Sequence, residues 1–277
     1  MGTRICLQDV NYLFRPTPIE RYPVFGRQVF VKRDDLFGVH PAPPLGKLRG
    51  LEILLKNYYE QGVRIVGCWD TRVSKLGQGV AALIQKFPGM HAIISYPRRK
   101  THPVPNAVLI AEALGAEVMP IRGNHVSICY SQASKLIAKR GGVMVPFGLD
   151  CPQAVVAVAK EAATIPADLI RGGTLIICSG SGVTLAGLLM GLPVAPQHLV
   201  AISSGRSVAK ILACVSRYVP KIPNVVDVYP ATLPYDHALD FRCPFPSHPH
   251  YDLKAWKYLV DNIGVLPDPI LFWNVGA

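Results

Sequence analysis

Acidic residues are scarce in this chain. Only 18 Asp and Glu residues stand against 29 Lys and Arg residues, which gives a formal charge of +11. No Asp or Glu occurs between Asp168 and Asp227. Most proteins that handle small molecules do not need such an excess, whereas a positive surface attracts polyanions such as nucleic acids. A solvated basic face is the alternative interpretation.

Long apolar runs and paired cysteines are also missing. No apolar run of roughly 18 or more residues occurs, and the amino-terminal MGTRICLQDV lacks the apolar core of a secretory signal. The seven cysteines have no Cys-x-x-Cys spacing, which is typical of reduced thiols. Cys243, His248 and His250 form only a weak, irregular pattern in a proline-rich loop, so we predict no metal site. These absences predict a cytoplasmic protein without a membrane segment.

The segments that are present indicate an α/β architecture. Half of the residues (50%) are hydrophobic, enough for one or two compact cores. Strand-like runs are predicted at 64–67, 91–95, 117–120, 143–145, 174–177 and 198–202. Helical patterns alternate with them at 78–87, 104–114, 131–140, 155–164 and 207–218. Such alternation predicts open, parallel-rich sheets flanked by helices, with ligands bound beyond the carboxyl ends of the strands.

A glycine loop lies between an apolar strand and a helical pattern in 178–191, which reads CSGSGVTLAGLLMG. Glycines at a helix start let several backbone N–H groups point toward one anion, and the helix dipole favours its charge. The candidate phosphate ligands are Ser179, Gly180, Ser181, Gly182, Val183 and Thr184. A simple turn between a strand and a helix is the alternative interpretation.

Two common nucleotide loops do not fit this segment. A triphosphate loop requires a lysine after the last glycine, but Val183 and Thr184 follow Gly182. A dinucleotide loop requires a third glycine, where Leu185 stands, and an acidic residue about 20 positions further on. Because both features are absent, the loop is best suited to a single phosphate monoester.

A second informative segment, 32–52, reads KRDDLFGVHPAPPLGKLRGLE. Lys47 follows a Pro-Pro-Leu-Gly turn and opens a pattern of leucines at helical spacing. A lysine at such a junction is often only a solvated first-turn residue.

Together the segments resemble the pyridoxal 5′-phosphate (PLP) enzymes of fold type II, the tryptophan-synthase-β-like group. The closest likeness is to aminocyclopropane-carboxylate deaminase and D-cysteine desulfhydrase. PLGKLRGLE (44–52) is similar to the motif whose lysine forms the Schiff base with the cofactor. RPTPIERYP, KRDDLFG, VPFGLDCPQAVVAVAKEA and ILFWNVGA are similar, in order, to other family segments. The resemblance therefore covers most of the chain.

The resemblance implies PLP as cofactor, with Lys47 as the catalytic lysine at the substrate α-carbon. The candidate partner of the pyridine nitrogen is Asn274. The resemblance also implies a larger domain (1–50 plus 147–277), a smaller inserted α/β domain (51–146), and a homodimer.

The substrate carboxylate, by the same resemblance, is received at a helix start that opens near Ser74. The implied substrate-binding residues are Ser74, Lys75, Leu76 and Gly77, with Ser74 also a catalytic candidate. A structural N-cap is the alternative role for Ser74. Two departures, Gly46 and Lys75 in place of family asparagines, favour an altered reaction or a loss of catalysis.

Three functions follow as hypotheses. The resemblance implies a lyase or deaminase that acts at the α-carbon of a free amino acid. The positive charge suggests instead an amino-acid adduct of DNA bases that undergoes decarboxylation or elimination, as in bacteriophage pathways that modify thymine. DNA would then bind through Arg98, Arg99 and Lys100. A divergent cofactor-binding protein without catalysis is the third hypothesis.

Overall fold

The computed structural model describes residues 15–99, 102–123 and 125–277. They form ten strands, which are β1 (Ile19–Val24), β2 (Arg27–Arg33), β3 (Ile65–Trp69), β4 (His91–Pro97), β5 (Glu117–Ile121), β6 (Val143–Met144), β7 (Thr174–Ser179), β8 (His198–Ser203), β9 (Val226–Pro230) and β10 (Ile270–Asn274). The eight α-helices are α1 (Leu48–Glu60), α2 (Leu76–Leu83), α3 (Asn106–Ala113), α4 (Val126–Lys139), α5 (Pro152–Ala162), α6 (Val183–Gly191), α7 (Val208–Val215) and α8 (Asp252–Asn262).

These elements belong to two compact units. Among the described residues, the larger unit comprises 15–38, 44–50 and 150–277, and the smaller unit comprises 39–43 and 51–149. Helix α1 begins in the larger unit and continues in the smaller one. Each unit contains a sheet of its own.

The larger unit is built on a six-stranded sheet with the order β1-β2-β10-β7-β8-β9. Only β1 runs antiparallel to its neighbour, and the other strands are parallel. Every residue of β7 and β10 is buried, which explains why TLIICS and ILFWN read as almost continuous apolar runs. Phe245, Trp256 and Phe272 pack edge-on or tilted against one another in the core of this unit.

The smaller unit contains a four-stranded, wholly parallel sheet with the order β5-β4-β3-β6. Helix α4 approaches β3 closely at Gly67, where a Cβ atom would lie 2.6 Å from Cγ1 of Ile137. A side chain at this position would therefore push the helix away from the sheet. Because the strands are parallel, their carboxyl ends all lie at one edge of the sheet.

The predicted fold class, parallel-rich sheets flanked by helices, is confirmed. All six predicted strands coincide with β3 to β8. Strands β1, β2 and β9 and helix α8 were not predicted, and α4 begins at Val126, before its predicted start. Strand β2 ends in Lys32 and Arg33. From the sequence alone, two charged residues indicate an exposed segment, because their buried acidic partners are not yet known. In the structure Lys32 is almost wholly buried, and its Nζ lies 2.5 Å from Oε1 of Glu161.

Within 15–99, 102–123 and 125–277, no helix is long and apolar enough to span a membrane. The six cysteines in these ranges are all free thiols, and five of them are buried. No group of three or more His, Cys, Asp or Glu residues in the same ranges could hold a metal ion.

Candidate active site

Lys47 lies in the larger unit, immediately before α1, in a loop attached to the chain end that follows β10. The N–H of Gly46 donates to the carbonyl oxygen of Val275 at 3.0 Å. Leu45 forms an antiparallel bridge with Gly276. These backbone contacts fix the loop, and with it Lys47, at the carboxyl end of the central strand β10.

Gly46 stands where the related family has an asparagine, and the structure gives a reason. A Cβ atom at this position would lie 2.3 Å from Oδ2 of Asp34. The buried Asp34 carboxylate accepts hydrogen bonds from both terminal nitrogens of Arg49, each at 3.0 Å, and from the indole N–H of Trp273 at 2.9 Å. Any side chain at position 46 would disturb this buried ion pair, which is costly to break.

The Lys47 amine is poised toward its neutral form. Its half-buried position lowers its pKa below the usual lysine value, mainly through loss of solvation. The charge of Arg206 lowers the pKa of Lys47 further, whereas Asp252 raises it. A neutral amine is the form that attacks a carbonyl carbon, so this environment suits the predicted role of Lys47.

Asp252, which the sequence analysis missed, is the acidic neighbour of Lys47. It is the first residue of α8, is buried, and accepts a hydrogen bond from the N–H of Val275 at 3.1 Å. Burial raises the pKa of Asp252 to about 7, against the opposing effect of Lys47. In sequence, an Asp at a helix start is an ordinary first-turn residue, so nothing local signals its proximity to Lys47.

The glycine loop connects β7 to α6 in the larger unit. Gly182 is the N-cap of α6 with φ of 98°, a left-handed conformation, and no side chain caps the helix start. A Cβ atom at Gly182 would lie 2.9 Å from Cβ of Cys214. Both the left-handed backbone and this lack of space therefore exclude a side chain at position 182. The first N–H groups of α6, near Val183 and Thr184, are therefore without a side-chain cap among the described residues.

Hydroxyl groups surround this helix start. Ser179, Ser181 and Thr184 are all buried. The Ser179 Oγ has no hydrogen-bond partner among the described residues, although it is shielded from solvent. A buried hydroxyl without a partner beside an uncapped helix start fits a bound oxyanion, and the PLP phosphate is such a group.

The loop after β8 lies beside the glycine loop. The N–H of Ser204 donates to the carbonyl oxygen of Ser179 at 3.2 Å, and the Ser204 hydroxyl donates to the carbonyl oxygen of His250 at 2.6 Å. A Cβ atom at Gly180 would lie 3.8 Å from the ring of Tyr251, whose hydroxyl is hydrogen-bonded to that of Tyr235. Two tyrosines therefore border the candidate phosphate site.

Asn274 lies at the end of β10 and is fully buried. Its Nδ2 donates to the carbonyl oxygen of Pro246 at 2.8 Å, and its Oδ1 accepts from the Ser247 hydroxyl at 3.0 Å. Both ends of the amide are thus engaged within the larger unit. The assignment of Asn274 to the pyridine nitrogen stays a prediction.

Ser74 lies in the smaller unit, in the loop between β3 and α2. Its hydroxyl accepts from the N–H of Leu76 at 3.2 Å, and its own N–H donates to Thr71 Oγ1 at 3.2 Å. The N–H of Gly77 donates to Oδ2 of Asp70 at 2.9 Å. Two of the predicted donors for a substrate carboxylate, those of Leu76 and Gly77, therefore already bind groups of the chain.

Asp70 is the second acidic residue that the sequence analysis missed. It is fully buried directly after β3, and burial raises its pKa to about 6, while hydrogen bonds from Ser74 and the Gly77 N–H oppose that rise. Its Oδ1 has no hydrogen-bond partner among the described residues. Lys75, the N-cap of α2, is half-buried, and loss of solvation lowers its pKa. A protein carboxyl group thus lies at the start of α2.

Arg98 and Arg99, the predicted DNA contacts, follow β4 in the smaller unit and are exposed. Lys100, predicted with them, lies outside the described residues.

Comparison with known proteins agrees with these features. No protein-family model matches the chain. It is 32% identical over 278 residues to the glycyl-dTMP PLP-dependent decarboxylase of Pseudomonas phage M6, and the match covers 94% of this chain and 98% of the relative.

Several solved structures share the fold. An ACC deaminase homologue superposes with a TM-score of 0.79 at 22% identity, covering 96% of this chain and 91% of that one. Threonine deaminase isoform 2 from Solanum lycopersicum superposes with a TM-score of 0.65 at 16% identity, covering 94% of this chain and 79% of that one. Diaminopropionate ammonia lyase from Escherichia coli superposes with a TM-score of 0.60 at 17% identity, covering 95% of this chain and 85% of that one.

The predicted family, cofactor and enzymatic nature are thereby confirmed. The chain is an enzyme of the PLP-dependent fold type II, and it belongs to the family of the phage M6 decarboxylase.

Proposed function

We propose that this enzyme decarboxylates an amino-acid adduct of a thymine nucleotide carried in DNA. The observation that carries the proposal is the 32% identity to a decarboxylase named for glycyl-dTMP, over 94% of this chain. A match of this length does not arise from the cofactor-binding segments alone. The formal charge of +11 supports a polyanionic carrier.

The proposed roles follow from the larger unit. Bound PLP supplies an electron sink for the bond broken at the substrate α-carbon. Lys47 would hold the cofactor through its neutral amine and, after taking up a proton, would donate that proton to the α-carbon in place of the departing CO2. The residues Ser179 to Thr184 hold the phosphate, and Asp252 stores a proton close to Lys47.

The start of α2 differs from the carboxylate site that the resemblance implies. By resemblance, lyases of this fold bind the substrate α-carboxylate at this helix start. Here the Asp70 carboxyl accepts from the Gly77 N–H, and the Ser74 hydroxyl accepts from the Leu76 N–H. These two N–H groups therefore already have partners within the smaller unit, a departure from the lyases that supports a different reaction.

A lyase or deaminase of free amino acids is the second candidate. The fold shared with an ACC deaminase homologue and with threonine deaminase favours it. The third hypothesis, a protein without catalysis, is set aside because the chain belongs to an enzyme family. The homodimer and the cytoplasmic location stay predictions.

The test is an assay of the PLP-loaded protein on two substrate classes. One is an oligonucleotide that carries a glycyl-modified thymine, and the other is a panel of free amino acids. We expect CO2 release and a product oligonucleotide lighter by one CO2, without ammonia. Lys47→Ala should abolish the reaction, whereas Lys210→Ala, which removes an exposed lysine of the same unit, should not. Ammonia release from free amino acids, with the oligonucleotide unchanged, would establish the second candidate instead.

A further inference from the structure

The smaller unit carries most of the excess charge. Its residues 39–43 and 51–149 contain twelve Lys and Arg residues and five Asp and Glu residues, so the unit holds +7 of the formal +11. These charges are not spread evenly over the unit. Their position relative to the two edges of the parallel sheet separates them into two groups.

The carboxyl edge of the sheet is rich in arginine. Arg72 follows β3, Arg98 and Arg99 follow β4, and Arg122 follows β5. Neighbouring strand ends are joined at this edge, because the N–H of Arg98 donates to the carbonyl oxygen of Ile121 at 2.9 Å. Arg98, Arg99 and Arg122 are exposed, and none forms an ion pair with a described residue. Among the described residues, the Arg72 guanidinium donates to the carbonyl oxygen of Pro103.

The acidic residues of the unit lie elsewhere. Glu60 ends α1 before β3, and Glu117 begins β5, so both are at the amino edge of the sheet, where Glu117 pairs with Arg140 at 2.6 Å. Glu52 pairs with Lys86 at 2.6 Å, and Glu112 lies in the last turn of α3, before β5. Only Asp70 follows a strand, and it is fully buried. Exposed positive charge at the carboxyl edge is therefore not balanced by a carboxylate there.

We infer that this carboxyl edge, with Arg72, Arg98, Arg99 and Arg122, binds the phosphates of the DNA strand that carries the substrate base. The inference rests on the proposed function for the identity of the substrate. All four cations are arginines, whose planar guanidinium groups match phosphate oxygens in pairs. Lys56, Lys86, Lys135 and Lys139 lie at the amino edge or on the outer helices together with Arg64 and Arg140, whereas the half-buried Lys75 follows β3.

The dimensions of the edge agree with a single strand. Neighbouring strands are about 4.8 Å apart, so β5, β4 and β3 present their arginines over about 10 Å. A DNA strand has a phosphate for about every 3.4 Å of duplex axis, and the phosphates of an extended single strand lie further apart, so about two or three phosphates can face this edge. The edge ends at the Ser74 loop after β3. Phosphates held here would leave their base free to turn out of the stack, as enzymes that act on bases require.

The experiment measures binding of fluorescent oligo-thymidylate by the PLP-loaded enzyme in a KCl series. The variant R98A/R99A/R122A should flatten the slope of log K against log salt by about 2, which corresponds to about 100-fold weaker binding near 0.1 M salt. The matched control K56A/K135A/K139A removes three charges from the same unit, away from the edge, and should flatten the slope by much less than 1.

An unchanged slope in the arginine variant, or an equal loss in the lysine control, would overturn the inference. Competition by poly-glutamate as strong as that by oligo-thymidylate would also overturn it, since it would indicate an acidic protein partner. A second readout is KM for the DNA-borne and the free mononucleotide adduct. The arginine variant should raise the KM for the DNA-borne adduct but not the KM for the free mononucleotide adduct, and kcat should stay unchanged. An unaltered KM for the DNA-borne adduct would contradict the proposal.

The same data separate this inference from the proposed function. If neither adduct is decarboxylated but the arginine variant alone loses salt-dependent binding, then the proposed reaction is wrong and the DNA-binding edge stands. If both adducts react and the arginine variant binds DNA like the wild type, then the reaction stands and the edge is wrong.

Discussion

The pKa of Lys47 is adjusted by two charges of opposite sign that lie far from it in the sequence. Arg206 follows β8, and Asp252 begins α8. Desolvation is the main cause of the lowered pKa of Lys47, and the two charges adjust that pKa in opposite directions. This arrangement allows the reactivity of one amine to be tested by two substitutions with opposite expected effects.

Asp252→Asn should lower the pKa of Lys47, because it removes the negative charge that stabilises the ammonium form. Arg206→Gln should raise the pKa of Lys47, because it removes a positive charge. The measurement is the pH dependence of Lys47 modification by pyridoxal, followed by borohydride reduction and peptide mass analysis. Pyridoxal lacks the phosphate, so the phosphate site does not influence the result.

The midpoint of this profile should therefore move to lower pH in the first variant and to higher pH in the second. Asparagine can still accept the N–H of Val275, which keeps the backbone contact of Asp252. A shift of both variants in the same direction would mean that general disturbance of the site, and not the two charges, controls the amine.

At the scale of elements, β7, the glycine loop and α6 form the part of the candidate site that local sequence encodes best. The two glycines of the loop differ in what the fold demands of them. Gly182 has φ of 98° and no room for a Cβ atom, whereas a Cβ atom at Gly180 would meet only ordinary contacts, the nearest being the Ser204 carbonyl oxygen at 3.7 Å.

Gly180→Ala should leave the stability of the protein unchanged but weaken PLP binding by about tenfold, or about 1.4 kcal/mol, because a methyl group crowds the approach of the phosphate. Gly182→Ala should weaken PLP binding and also destabilise the fold by about 1–3 kcal/mol, through backbone strain and overlap with Cys214. Thermal unfolding of the apo-protein and PLP titration separate the two effects. Undiminished PLP binding by the Gly180 variant would contradict the assignment of the loop.

At the scale of the whole molecule, two buried carboxyl groups oppose folding at neutral pH. Asp70 and Asp252 have pKa values raised to about 6 and about 7, from an ordinary value of 3.8. Each group binds a proton more tightly in the folded than in the unfolded chain. Their contribution is therefore favourable at low pH and is lost as the pH rises from about 4 to about 7.

Asp70→Asn should increase the free energy of unfolding at pH 8 by up to about 3 kcal/mol, since it removes a carboxylate whose burial is costly. The two proteins should converge below about pH 4, where the aspartate is protonated in both states. Denaturant unfolding of the apo-protein at several pH values measures this difference. Asp168→Asn, a change at an exposed position, is the control and should not alter the pH dependence. A difference for Asp70→Asn that does not vary with pH would show that packing is its cause.

The strands β3 to β8 and the glycine loop could be predicted because their signals are contiguous. Strand β2 could not, because Lys32 and Arg33 look solvent-exposed until Glu161 and Asp35 are known as their buried partners. Asp70 and Asp252 were missed for a related reason, since a single carboxyl residue carries no local sign that it will be buried. Gly46 could be noted as a departure from the family, but its cause, the Asp34 carboxylate, lies elsewhere in the sequence.

The sequence by itself determined the glycine loop between β7 and α6, the lysine just before α1 and the excess of positive charge. These features depend on neighbouring residues, through glycine conformation, helix periodicity and composition. Only the tertiary structure decided which charges are buried beside Lys47 and which arginines share one sheet edge. The physical reason is that desolvation and Coulomb interactions depend on distance in space, and parallel strands bring together ends that are far apart along the chain.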